Sequence, residues 1–134
     1  MDKKIDLSRY RYSSAIEELK NAKLCFENNS YRGCVNRSYY AAFYAIRAIL
    51  ALGNIDFKSH KSVINHFNKE YVGANIFPRD LASKLGKLKN MRDTADYSDF
   101  LEVSREDAKV QLESVEYMIP LIDKYLSGRY EEFE

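Results

Sequence analysis

Residues 30–52 read SYRGCVNRSYYAAFYAIRAILAL, and the fold turns on this stretch. Tyr31, Val35, Ser38, Ala42, Ala45, Ile46 and Ile49 recur at three- and four-residue steps, the period of a helix stripe that packs on a core. Ser30 stands where an N-cap belongs, and Gly53-Asn54 supplies a stop. The other faces lack the usual lysine and glutamate, and Asn36, Tyr40, Phe43, Tyr44 and Arg47 fill them at the same spacing. A helix that is apolar or aromatic on nearly every side must be enclosed by others, so this one reads as the central helix of an all-helical domain.

The flanking segments supply the enclosing helices. Residues from about 6 to 28 put Tyr12, Ala15, Ile16, Leu19, Ala22 and Phe26 on one stripe, with Asp6 as the expected N-cap and Asn28-Asn29 as the stop. A third helix, about 59–71, carries His60, Val63, Ile64, Phe67 and Tyr71 on one side, and 73–77 form a loop. Pro78 is placed to open a fourth helix whose row Leu81, Leu85, Leu88, Arg92 lets an arginine continue a leucine stripe. The fifth starts after Ser104, with Asp107 in the capping-box position, and repeats Ala108, Leu112, Val115, Ile119, Ile122 and Leu126 up to Gly128. Pro120 inside it is expected to kink or divide it. There is no period-two segment, internal repeat or low-complexity stretch, and the links are short. The expectation is a single domain over 1–134, an antiparallel up-and-down bundle of about five helices.

Composition narrows the function. With 46% hydrophobic residues among 134, the chain can bury a core without disulfides or metal. Its 21 basic and 20 acidic residues nearly cancel, which excludes the global positive field of a bulk nucleic-acid binder and leaves recognition to a local patch. No apolar signal region precedes the first helix, and no run of about 18 apolar residues exists, so a cytoplasmic protein without a membrane segment is expected. Cys25 and Cys34 lack metal-ligand spacing and read as free thiols. His60 and His66 have no second ligand at metal spacing, and no metal or other cofactor is expected. His60, on the apolar side of its helix, reads as a neutral, hydrogen-bonded imidazole, and His66 as facing solvent. Eleven tyrosines without a tryptophan suit half-buried grooves and subunit interfaces, where apolar area and a hydroxyl are both used.

Two stretches hold the candidate chemistry: NRSYYAAFYAIRA at 36–48 and RDTADY at 92–97. Together with Lys58-Ser59-His60 between them, and over nearly the whole chain, they resemble the HEPN (higher eukaryotes and prokaryotes nucleotide-binding) domain family. That resemblance implies a helical bundle that forms a homodimer with a polar cleft at the dimer interface. It also implies a minimal nucleotidyltransferase as the partner in a toxin–antitoxin pair, and, in many members, metal-independent RNA cleavage.

The family's cleavage signature is an arginine followed four to six residues later by a histidine. Arg92 matches the arginine, but residues 93–99 read DTADYSD and contain no histidine. Metal-free cleavage needs one group to take the 2′-hydroxyl proton and another to stabilise the phosphate in the transition state. Arg92 fits the second role. Asp96 as base, Tyr97 as hydrogen-bond donor and His60 as an imidazole from the neighbouring helix are the candidates for the rest. For nucleotide or RNA binding the candidates are Arg37, Tyr40, Tyr44, Arg47 and His60, arginines meeting phosphates and tyrosines stacking on bases. A structural alternative pairs Arg92 with Asp96 one helical turn away, and Arg37 and Arg47 with Asp93 or Asp96. Two functions follow: a toxin-like homodimer that binds nucleotide or RNA, or a non-catalytic dimeric interaction module whose polar cleft is structural.

Overall fold

The computed structural model describes residues 2–97 and 102–132. Five helices occupy them: α1 (Lys3–Glu27), α2 (Tyr31–Leu52), α3 (His60–Phe67), α4 (Asp80–Tyr97) and α5 (Arg105–Glu132). α3 continues through a π-helical turn, Asn68–Val72. The architecture is the expected all-α bundle, with no strand among the described residues.

α2 is its axis. Tyr39, Ala41, Ala42, Ala45, Ile46, Ala48 and Ile49 are all inaccessible to solvent, as only a helix covered on several sides allows. α1, α3, α4 and α5 all pack against it. The register is antiparallel: Ser8 meets Ala48, Arg11 meets Arg47 and Glu18 meets Arg37 across α1 and α2. On its other side Tyr40 meets Arg92, and Arg32 meets the Ala95 carbonyl, so α4 also runs antiparallel to α2. Alanines dominate the α2 surface and let neighbours come close. At Gly33 a Cβ would stand 2.8 Å from Ser30 Oγ and 3.1 Å from Cys25 Sγ, so any side chain there would have to displace these two.

Local chemistry sets the helix ends, with some departures from expectation. The N-cap of α1 is Asp2, whose side chain accepts from Lys4 N at 3.0 Å, and Asp6 lies within the first turn. Two aspartates four residues apart both suit a cap, and the helix takes the earlier one because Lys3 to Ile5 continue it without a breaker. Ser30 occupies its cap position without a side-chain cap bond. Asn29, Asn54 and Asn75 hold φ of 62°, 56° and 63°, so asparagines make the left-handed turns after α1, α2 and the α3 extension. α4 starts at Asp80, after a turn closed by Leu81 N on the Pro78 carbonyl. α5 runs unbroken through Pro120 and past Gly128 to Glu132.

The capping box of α5 is reciprocal: Asp107 N donates to Ser104 Oγ at 3.0 Å and Ser104 N to Asp107 Oδ2 at 3.2 Å. Ser104→Ala should therefore lower stability by about 1 kcal/mol, read as a lower urea midpoint at unchanged slope.

On α1 the apolar stripe faces inward, with Ala15 and Ala22 buried and Tyr12, Leu19 and Phe26 packed on the core, and it departs from expectation only at its edge. Ile16 is 41% exposed, whereas Ser8 and Arg11 are buried. Both polar residues find partners: Ser8 Oγ donates to the Ala48 carbonyl at 2.7 Å, and Arg11 donates to Asp56 and to the Arg47 carbonyl. Both cysteines are free thiols, and burial pushes the Cys34 thiol up to about 11, which keeps it protonated. No helix among the described residues is long and apolar enough to cross a membrane.

Candidate functional site

Three elements converge on one polar face. α2 presents Tyr40, Tyr44 and Arg47 at steps of four and three residues, α4 brings Arg92, Asp93 and Asp96 against it, and α3 begins at His60 beside them. Arg92 is the centre. Its Nη2 donates to Tyr40 Oη at 2.5 Å and its Nη1 to Asp93 Oδ1 at 3.0 Å. Its Nε lies 3.1 Å from Asp96 Oδ2 but is poorly aligned for a hydrogen bond, so that contact is an ion pair. The guanidinium also stands 5.1 Å from the ring centres of both Tyr39 and Tyr40. Burial disfavours its charge, yet the bond to Asp93 and the negative charges of Asp93 and Asp96 hold its pKa above the ordinary value. Asp93 is held low: burial opposes this, but Lys89 at 2.5 Å and Arg92 outweigh it.

His60 completes the cluster. Its Nδ1 lies 2.9 Å from Tyr39 Oη, and its ring stacks on Phe43 with centroids 4.1 Å apart. Burial first, then the cations of Arg92 and Lys89, depress its pKa, so the imidazole is neutral at neutral pH. The unfolded chain takes up this proton near 6.5 while the folded chain resists it, so stability is lost as pH falls through 6.5. The carboxylates of Asp56 and Asp93, held below 3.8, lose their contribution only in more acidic solution. The urea midpoint should fall between about pH 7.5 and about pH 5.5, and His60→Asn should remove that slope.

A second charged group lies farther along α2. One carboxylate, Asp56, accepts from Arg11 Nη2 and from Arg47 Nη2, each at 3.2 Å, and from Phe57 N at 2.9 Å. Arg47 Nε has no acceptor. Beside this group opens a groove of about 540 Å3, lined by Phe43, Arg47, Asp56, Phe57, Lys58 and His60.

The structure thus brings Tyr40, Tyr44, His60, Arg92 and Asp96 together, with Tyr44 packed on Tyr40 at 5.9 Å. Tyr97, the last residue of α4, is 87% exposed beside them in sequence. The expected ion pair of Arg92 with Asp96 is present. The other expected pairings are not: Arg37 turns to α1, its Nη1 3.1 Å from both oxygens of Glu18, and Arg47 pairs with Asp56. Glu18 and Asp56 win because the register of α1 and the path of the α2–α3 link put them closer. Arg11, Asp56 and Phe57 were not singled out from sequence, and Lys58 only as part of the stretch at the start of the third helix. The one available signal was Arg11 itself, a basic residue on the same helical face as Ser8 and Ala15. Among the described residues no group of histidine, cysteine, aspartate and glutamate has a metal-binding arrangement.

Comparison with known proteins adds to this geometry. The HEPN domain model matches residues 8–125. A UPF0332 protein of Thermotoga maritima is 30% identical over 126 residues, which cover 94% of this chain and 96% of that one. Two proteins of Methanocaldococcus jannaschii are also similar. "Putative toxin MJ0605" is 33% identical over 84% of this chain and 83% of its own length, and "Putative toxin MJ0142" is 29% identical over 86% and 78%.

Proposed function

The chain belongs to the HEPN domain family, and from that premise we propose that it is a toxin-like protein that binds nucleotide or single-stranded RNA on the polar face of α2, α3 and α4. The observation that carries this reading is the seat of Arg92: a guanidinium laid against two tyrosine rings at 5.1 Å, on the helix that ends in the exposed Tyr97. Cations interleaved with aromatic rings are what single-strand binding uses, charges for phosphates and rings for bases. Because the net charge is only +1, affinity rests on this patch, and few phosphates are neutralised. The names of the Methanocaldococcus relatives support the toxin-like role. The family supports a homodimer, with this face at the dimer cleft, and a minimal nucleotidyltransferase as partner.

In this reading Arg92 stabilises phosphate charge, Tyr40 orients Arg92 through its hydroxyl, and Tyr44 and Tyr97 offer rings to bases. His60 is the imidazole in contact with Tyr39 and Tyr40, and its neutral form is able to accept a proton. No histidine follows Arg92 in the family's cleavage position, so the proposal is one of binding.

The second reading, a non-catalytic dimeric module, is favoured by one observation: the Arg92 guanidinium is already engaged by Asp93, Asp96 and Tyr40. Expression of the chain alone in a bacterial host separates the two. Growth arrest that a co-expressed nucleotidyltransferase partner relieves, together with binding of a ten-nucleotide RNA by the purified protein, supports the first reading. A dimer that neither slows growth nor binds RNA supports the second.

A further inference from the structure

The groove beside Arg47 lies apart from the Arg92 seat and has its own chemistry. Asp56 carries one negative charge between Arg11 and Arg47, so the three together keep an excess positive charge, and Lys58 adds another at the groove wall. The carboxylate is spent on three neighbours, Arg11, Arg47 and the Phe57 amide, and the guanidinium of Arg47 stays partly exposed at the groove wall. Phe57 is 37% exposed, its ring braced 5.3 Å from that of His66. An exposed phenylalanine beside this net positive charge offers a base platform next to a phosphate site. The volume of about 540 Å3 is within the range of small-molecule sites.

His60 joins the two sites, lining the groove while bonded to Tyr39 under Arg92. Tyr40, which holds Arg92, and Arg47 are seven residues apart on α2. That is roughly 10 Å along the helix, a span that a stacked single strand covers in about three nucleotides.

We propose that this groove seats one nucleoside monophosphate unit, its phosphate on Arg47 and Lys58 and its base on Phe57. The assignment rests on the nucleic-acid reading above and extends it to a second position. The occupant is either a free nucleotide or one residue of an RNA strand that also reaches Arg92.

The test uses the full chain, a fluorescein-labelled ten-nucleotide oligoadenylate followed by anisotropy, and AMP followed by calorimetry. Phe57→Ala and Lys58→Glu change exposed side chains, and circular dichroism checks that both variants fold. Each should weaken oligoadenylate binding about tenfold, the loss of one stacked base or one phosphate contact. If AMP binds the parent protein and is lost in the variants, the occupant is a free nucleotide. If only the oligonucleotide responds, it is a strand residue. Unchanged affinities in both variants, with Arg92→Gln defective, overturn the groove and leave the wider reading intact. Failure of the parent protein to bind either probe overturns both.

Discussion

Arg92→Gln is expected to weaken binding of a ten-nucleotide single-stranded RNA by about 10- to 100-fold, the loss of one charge-assisted phosphate contact. It should do so without unfolding the protein. Arg92 is enclosed enough to matter, at 18% side-chain exposure, but the carboxylates it leaves behind are wetter: Asp93 at 30% keeps Lys89, and Asp96 at 37% turns to water. The cost in stability should be about 1 kcal/mol, in the range of partly exposed ion pairs. Anisotropy titrations at fixed salt, beside urea melts of the same preparations, check both halves. A variant that binds RNA as the parent does, yet loses several kcal/mol of stability, makes Arg92 a structural residue.

The largest stability effect should come from the middle of α2. Ile46 has no exposed surface and lies within the main core cluster with Phe67, Leu85 and Ile122. Ile46→Ala should cost roughly 3 to 4 kcal/mol, the lost transfer of its side chain plus the cavity left behind. Ile16→Ala on α1, which removes the same atoms from a 41% exposed site, should stay within about 0.5 kcal/mol of the parent. Urea unfolding compares the pair. Equal losses at both positions would mean that α1 buries a different face.

That contrast shows what was legible. α2 read correctly because almost every position between Cys34 and Ala51 is small, apolar or aromatic, so a modest error in phase changes nothing about its burial. α1 offers a blurred pattern: Leu7, Tyr10, Ile16 and Leu24 are exposed while Ser8 and Arg11 are buried, because partners on α2 and in the α2–α3 link satisfy the polar groups. Local pairs were readable too, since the Arg92–Asp96 pair needs only a four-residue step on one helix. Arg37 with Glu18, Arg47 with Asp56, and His60 with Tyr39 join different elements, and each depends on a register or loop path that periodicity does not encode. The groove was missed for the same reason. Phe57 and Lys58 sit in a link, where nothing in the spacing says which helix they face.

A chemical-shift titration of the assigned, isotope-labelled protein with a single-stranded RNA decamer tests the RNA-binding face most directly. Progressive shifts at the amides of Tyr40, Tyr44, His60, Arg92, Asp96 and Tyr97, spreading to Arg47 and Phe57, are the predicted result, with the outer side of α1 around Tyr10 and Glu17 unmoved. Shifts confined to the outer face of α1, or none at all under low-salt conditions, would contradict it.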